Sequence, residues 1–483
     1  MARFDTVVVN GTAVVPVHGA VRADLAISGG RIAAIGNTGE FTPGDADEVI
    51  DATGKLVVPG AVDAHFHIGI YRDIAEDAHS ETQSAVTGGV TTALSYFRTG
   101  QHYLNKTGPY REILPEALAA TRGNAFCDVG YHLAPMTGDQ VAEIPDLVAE
   151  HGVGSYKYYM FYKGMNLAGD SRGLDSQRQW TMSEAYDLGH LYELMERVTE
   201  ANAATATGRV SLSVHAEQPE LIRIFIDRAA SAGYGNPLEE YSNARPPFEE
   251  RVAVHEAGLL AARTRCPINF LHLSSAEALE AALEVRRGDP GLDVRVETTL
   301  HHLALSHDSY ADQRGKVNPP IRADHDVERL WEGIAAGNID WVVSDHACCS
   351  EEHKEGELWG ALPGFGGTAL LYPTMLTEGT RRGLPPERIV ELVSTAPARA
   401  YGLLPRKGAL GVGADADIAI IDMETEETVT PERLHSAQEY TPFEGMKLIG
   451  WPERTLLRGR TVYAGGEVVG DPLGDYVPRP AGA

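Results

Sequence analysis

The sequence predicts an α/β chain: a (β/α)8 TIM-like barrel with a small β-sandwich domain formed by both chain ends. Three observations predict it. The middle of the chain alternates short apolar runs with longer helical patterns, as parallel strands joined by crossover helices do. Eight such runs occur, which favours a closed barrel, although the pattern alone also admits a doubly wound open sheet. Both ends carry strand-like runs divided by turn signals, and neither end has enough of them for a stable sheet of its own. The economical arrangement is one domain of 1–57 with 405–483, and a barrel of 58–404 inserted between the two parts.

In chain order, the first strands are expected at 6–10, 13–17, 23–28 and 31–35, separated by Asn10-Gly11 and Ser28-Gly29-Gly30. Both breaks suit tight hairpin turns. Barrel strands are expected at 60–67, 90–97, 126–134, 153–160, 209–216, 268–274, 294–300 and 340–345. Helical patterns lie between them at 115–120, 182–199, 219–232, 249–264, 276–287 and 325–336. The runs 416–421, 455–457 and 461–464 bring the chain back to the terminal domain, the last two flanking Arg458-Gly459-Arg460.

Composition narrows the function. Lys and Arg number 41 against 68 Asp and Glu, a formal charge of −27, which argues against nucleic-acid binding and against an anionic membrane surface. No uninterrupted apolar stretch reaches the ~18 residues of a membrane span. Cysteines stand at 127, 266, 348 and 349 without a CxxC pair, so no disulfide scaffold is expected. With no signal-peptide pattern in MARFDTVVVNG, a cytoplasmic location is the expectation.

The segment Val62-Asp63-Ala64-His65-Phe66-His67 carries the chemistry. Side chains two apart on a strand share a face, so His65 and His67 form a two-toothed metal grip. Such a pair alone is more often two ordinary histidines. Four further runs, however, each carry one candidate ligand at or near the end: Lys157, His215, His272 and Asp345. One lone histidine is usually a core residue and one lone aspartate a helix cap. Five strand ends bearing such groups point to one centre, because barrel sites gather at the C-terminal strand ends.

Lys157 poses a problem, since an ammonium has donors only and cannot bind a cation. An ion pair with an acidic neighbour is the plain alternative. Burial, though, depresses a lysine pKa, and a neutral amine can take up carbon dioxide to become a carbamate. Two carbamate oxygens can bridge two divalent ions about 3.5–4 Å apart. The charges of two such ions are then offset by the carbamate, Asp345 and a hydroxide, leaving one net positive charge.

DAHFH, SYKYYMFYKG, VHAE, FLHLS and VSDHA together resemble the binuclear amidohydrolase superfamily. Within it they are most similar to the cyclic amidases: dihydropyrimidinase/hydantoinase, allantoinase and dihydroorotase. The likeness extends through VTGGVTT, GADADIAIID and the tail PFEGMKLIGWPERTLLRGRTVYAGGEVVG, and so covers nearly the whole chain. It implies that His65, His67, Asp345 and a carboxylated Lys157 hold one ion, and that Lys157, His215 and His272 hold the other. The ions would be Zn2+ and Lys157 an N6-carboxylysine. Tyr162 would donate to the oxyanion, Asp345 would carry the proton, and Asn318 and Gly364 would contact the substrate. The implied activity is hydrolysis of a C–N bond in a hydantoin, dihydropyrimidine or related ring, by a homotetramer.

Departures qualify the substrate. An arginine soon after the second histidine marks dihydroorotases, and Ile68-Gly69-Ile70-Tyr71 stands here instead. Yet Thr299–His302 wording and KVNPP resemble dihydroorotase, while Ser344-Asp345-His346 and Leu330-Trp331 lean towards allantoinase. An allantoinase or dihydroorotase-like hydrolase is therefore the alternative reading, followed by a noncatalytic scaffold homologue and a mononuclear deaminase. Cys348-Cys349 is unusual for all three cyclic amidases and reads as two small buried residues. Phe66, Tyr159 and Phe161 offer an apolar wall for the substrate, though any one of them would more often be barrel packing.

Overall fold

The computed structural model of the chain describes residues 3–16, 18–100, 102–162, 185–206 and 209–479. The N-terminal strands are β1 (Phe4–Val9), β2 (Thr12–Val15), β3 (Gly19–Ser28), β4 (Arg31–Asn37), β5 (Ala46–Asp51) and β6 (Leu56–Pro59). The last two are additions to the sequence reading. β5 buries only Ala46 and Ile50, so it shows little apolar pattern, and β6 is four residues ending in proline.

The barrel strands are β7 (Ala61–His67), β8 (Val90–Arg98), β9 (Asp128–Ala134), β10 (Ser155–Tyr159), β11 (Ser211–His215), β12 (Ile268–Phe270), β13 (Val294–Thr299) and β14 (Trp341–Val343), with a short β15 (His346–Ala347) after β14. Neighbours from β7 to β14 pair in parallel and in chain order. β15 pairs with β7. Only Ser344 and Asp345 separate β14 from β15, so one bent stave closes the ring. This is the expected (β/α)8 barrel.

Two strands stop two or more residues before their expected ends, for one reason. β12 stops at Phe270 and β14 at Val343, and the ligand candidates just beyond, His272 and Asp345, have φ of 37° and 52°. A left-handed residue cannot continue a strand. The helix expected at 182–199 is found at Leu188–Ala204, capped by Asp187; its first expected residues lie outside the described ones, as does Val17. The expected helix at 115–120 is the middle of Tyr110–Thr121.

The remaining strands are β16 (Ile418–Asp422), β17 (Glu427–Thr428), β18 (Lys447–Leu448), β19 (Trp451–Leu457), β20 (Arg460–Ala464) and β21 (Glu467–Val468). β17 and β18 form a separate small hairpin. The others join β1–β6 in one mixed sheet running β21-β20-β19-β16-β6-β2-β3-β1-β5, with β4 on β3. Long β3 pairs with β2 along its first half and with β1 and β4 along its second. It thereby passes between the two halves of the sandwich. Their shared core takes Val8, Leu25, Ile27 and Ile50 from one half and Ala13, Val57, Ile418, Ile420 and Leu456 from the other. The opposite face of β16 and β19 packs on the barrel through Ala419, Ile421 and Leu457. No described helix is long and apolar enough to cross a membrane.

Candidate metal centre

β7 delivers His65 and His67 into the barrel mouth, both buried. His65 Nδ1 lies 2.7 Å from Glu297 Oε1, and its Nε2 lies 3.0 Å from Asp345 Oδ1 and 3.2 Å from Lys157 Nζ. Burial holds this imidazole well below its ordinary pKa, and the Lys157 charge adds to the effect, so the ring is neutral with one N–H. Glu297 also accepts from Trp341 Nε1 at 2.7 Å and from the His272 amide at 3.2 Å. Burial pushes the Glu297 carboxyl up to about 8, opposed by the Trp341 bond; in its carboxylate form it is an acceptor only and places the His65 proton on Nδ1. The Nε2 lone pair therefore faces a carboxylate oxygen.

His67 faces the same oxygen, and either tautomer fits there because the Tyr103 hydroxyl can donate or accept. Its Nδ1 is 3.0 Å from the Tyr103 hydroxyl and its Nε2 is 3.3 Å from the same Asp345 Oδ1. Burial lowers its pKa too, opposed by the bond to Asp345. The ligand atoms of His65, His67 and Asp345 all lie within 4.8 Å of one another. Two imidazoles and a carboxylate gathered this closely are donors of the type and number that a divalent ion takes, so the set fits one.

The second half of the centre is marked by an orphan. His272 is buried, yet neither ring nitrogen has a hydrogen-bond partner among the described residues. An unmet buried polar group costs about 1–3 kcal/mol, a cost a metal bond removes. The His272 ring is 4.3 Å from that of His215 and 5.1 Å from that of His65, centroid to centroid. His215 Nε2 lies 2.6 Å from Glu217 Oε2, so Nδ1 is the nitrogen that Glu217 does not engage. Left-handed backbone at both His272 and Asp345 adds strain of about 1–3 kcal/mol each, of the kind that clusters at functional sites.

Lys157 on β10 stands between these groups. Its ammonium is 3.9 Å from the Tyr96 ring centroid and 4.5 Å from that of Tyr159. Burial pushes its pKa down to about 7, with Asp345 and Glu297 opposing. The amine is therefore substantially neutral near physiological pH.

The expected substrate contacts each have a described neighbour. Tyr162 ends the turn Met160–Tyr162 that follows β10, its ring 5.0 Å from that of Tyr159. Asn318 Oδ1 accepts from the Tyr241 hydroxyl at 2.6 Å. Gly364 has φ 107°, and a Cβ there would come within 3.1 Å of Ala347 Cβ, two residues past Asp345. Among the aromatic residues, Phe66 stacks on His346 at 4.6 Å, on the strand face opposite the ligands. Phe161 packs on His215 at 4.4 Å and Tyr159 at 6.2 Å. Both cysteines at 348 and 349 are buried and free.

Sequence reasoning passed over Glu297, Glu217, Tyr103 and Arg98. Glu297 had a signal, an acid within the apolar run at 294–300. Tyr103 and Arg98 had none, because their partners come from other strands.

The model of the amidohydrolase family matches residues 269–462. An allantoinase of Rubrobacter xylanophilus is 33% identical over 99% of this chain and 98% of its own. A D-hydantoinase of Geobacillus stearothermophilus is 31% identical over 97% of this chain and 95% of its own. Among solved structures, an L-hydantoinase (dihydropyrimidinase) from Arthrobacter aurescens superposes with a TM-score of 0.84 at 29% identity, covering 99% of this chain and 100% of the other.

Proposed function

Since the chain belongs to the amidohydrolase family, in its branch of cyclic amide hydrolases, we propose that it opens a hydantoin, dihydropyrimidine or related ring at a two-metal centre. The observation that carries this reading is the convergence of His65 Nε2 and His67 Nε2 on Asp345 Oδ1, beside a His272 whose ring has no hydrogen-bond partner among the described residues. His65, His67, Asp345 and Lys157 would hold one ion; Lys157, His215 and His272 the other. Zn2+ suits imidazole and carboxylate ligands, and the neutral Lys157 amine suits carboxylation. When bound, the two ions supply Lewis acidity towards the scissile carbonyl and lower the pKa of water to about 7.

The chain's own residues do the rest. Asp345 uses Oδ1 for the metal side, so Oδ2 is the atom that takes the proton of the attacking water and returns it to the leaving nitrogen. Tyr162 donates its O–H to the oxyanion of the tetrahedral intermediate. Asn318 and the Gly364 backbone hold the ring. A homotetrameric assembly goes with this reading through the family resemblance.

Product identification tests it. Incubation with dihydrouracil, substituted hydantoins and allantoin is expected to give an N-carbamoyl amino acid from at least one of the first two. Allantoate alone would select the allantoinase reading, and ammonia release with the ring intact would select a deaminase. Failure to open any ring would discard the proposal.

The Glu297 contact gives a second expectation. Glu297→Gln keeps the shape but can present an amide N–H to His65 Nδ1, undoing the tautomer that frees Nε2. Metal affinity, measured by chelator competition, should fall about 10–100-fold, as for other groups that orient a ligand. Unchanged affinity would show that the tautomer is set elsewhere.

A further inference from the structure

Arg98 is the last residue of β8 and is 3% exposed. Its guanidinium carbon lies 5.4 Å from the Tyr162 ring centroid and 5.8 Å from that of Tyr103, and it hydrogen-bonds the Tyr162 hydroxyl. Tyr159 hydrogen-bonds Tyr103, and Tyr103 reaches His67 Nδ1. One cation thus sits among three tyrosines, one of them touching a ligand candidate and another the candidate oxyanion donor.

We propose that Arg98 is a positioning residue for Tyr162, holding the phenol oxygen so that its O–H is aimed and strengthened towards the substrate oxyanion. The inference rests on the cyclic amidase reading and goes beyond it in naming what sets the donor. A guanidinium has five N–H donors and no acceptor. Arg98 therefore donates to the phenol oxygen, and the Tyr162 hydrogen is not consumed in their bond. Accepting a charged hydrogen bond polarises the phenol and makes its O–H a better donor to an anion. Rigidity matters as well, because donors are most effective when fixed before reaction. Tyr162 stands on a short turn, where no sheet pairing holds it. Arg98 ends a nine-residue strand paired on both sides and lends that rigidity to the turn.

The alternative is a buried arginine that merely fills space between aromatic rings. A double-mutant cycle separates the two. Arg98→Gln is expected to lower kcat about 10–100-fold with KM within about threefold of wild type. In the Tyr162→Phe background the same change should cost less than about twofold. Metal content and melting temperature should stay at wild-type values. Ultraviolet titration, taken as the difference between each protein and its Tyr162→Phe counterpart, should place Tyr162 ionisation about one unit higher once Arg98 is gone. Should Arg98→Gln not fold, Arg98→Lys keeps the cation without the fork, and its loss should likewise vanish with Tyr162→Phe. An equal loss in both backgrounds, or a rise in KM with kcat intact, overturns the proposal while leaving ring hydrolysis standing. A wild-type chain that opens no ring overturns both.

Discussion

Lys157→Ala is expected to lower kcat/KM by at least about 10^3-fold, several kcal/mol of transition-state stabilisation. It should also reduce the bound metal from about two ions per chain to fewer than one. The reason is electrostatic. Lys157 is 1% exposed, 3.2 Å from His65 Nε2 and walled by the Tyr96 and Tyr159 rings. A buried ammonium there would repel divalent ions, and Asp345 alone would leave most of their charge uncompensated. Carboxylation would turn the same side chain into an anion with two oxygens able to ligate, and the burial that lowers its pKa to about 7 makes the free amine available for it. Two controls isolate the sign of the charge. Lys157→Arg keeps a cation that cannot be carboxylated and should fail as badly as alanine. Lys157→Glu restores a carboxylate on a shorter stem and should regain metal before it regains turnover. Labelled bicarbonate should give a carbamate carbon signal in the wild type that is missing from all three variants. Wild-type metal and rate in Lys157→Arg would sink the carboxylated lysine, and with it the bridge.

How much of this was legible in the residues follows from what each part depends on. The alternation of apolar runs and helical patterns is a local property, so the parallel strands could be read directly, and their number favoured a closed barrel over an open sheet. The candidate ligands could be read as well, because a strand end is defined by its own few residues. β5 was not legible: it is an exposed edge with two buried side chains, and its pairing with β1 is decided by chain elsewhere. The bends at His272 and Asp345 were not legible either. Nothing in Phe270-Leu271-His272 or Val343-Ser344-Asp345 announces a left-handed residue, and tertiary packing must impose it. The tautomer-setting contacts were hidden for the same reason. Glu297 lies 232 positions from His65, and only closure of the barrel brings them together. Sequence therefore showed which side chains could bind metal, and the fold showed that His65 and His67 turn Nε2 towards Asp345 while His215 turns Nε2 away to Glu217.

The largest stability effect should come from a site that performs no chemistry. Asp128, Asp415 and Asp417 bring three carboxylates together at the base of the barrel, a nest of metal-like geometry. Lys407 occupies it. Its fully buried Nζ bonds Asp128, lies 2.7 Å from Asp417 Oδ2 and 2.9 Å from Asp415 Oδ2. Arg458 and Arg406 bond the same set from its edges. Asp128 opens β9 of the barrel, whereas Asp415 and Asp417 immediately precede β16 of the sandwich, so one ammonium ties the two units together. Replacing it by the near-isosteric Lys407→Met removes the cation and leaves buried carboxylates facing one another. Breaking one side of a buried ionic cluster costs about 3–5 kcal/mol, to be read from urea unfolding followed by tryptophan fluorescence. Lys55 makes an outwardly similar pair of contacts, with Asp422 and Glu453, but is partly exposed. Lys55→Met should cost no more than about 1 kcal/mol. Adding Asp417→Asn to Lys407→Met should recover part of the loss, since it removes one of the stranded charges. At low denaturant the surviving folded protein should keep its metal and kcat, because the cluster lies at the N-terminal ends of the strands and the metal centre at the other. Equal costs for the two lysine variants would mean that solvent reaches the cluster and that Lys407 is not the tie between barrel and sandwich.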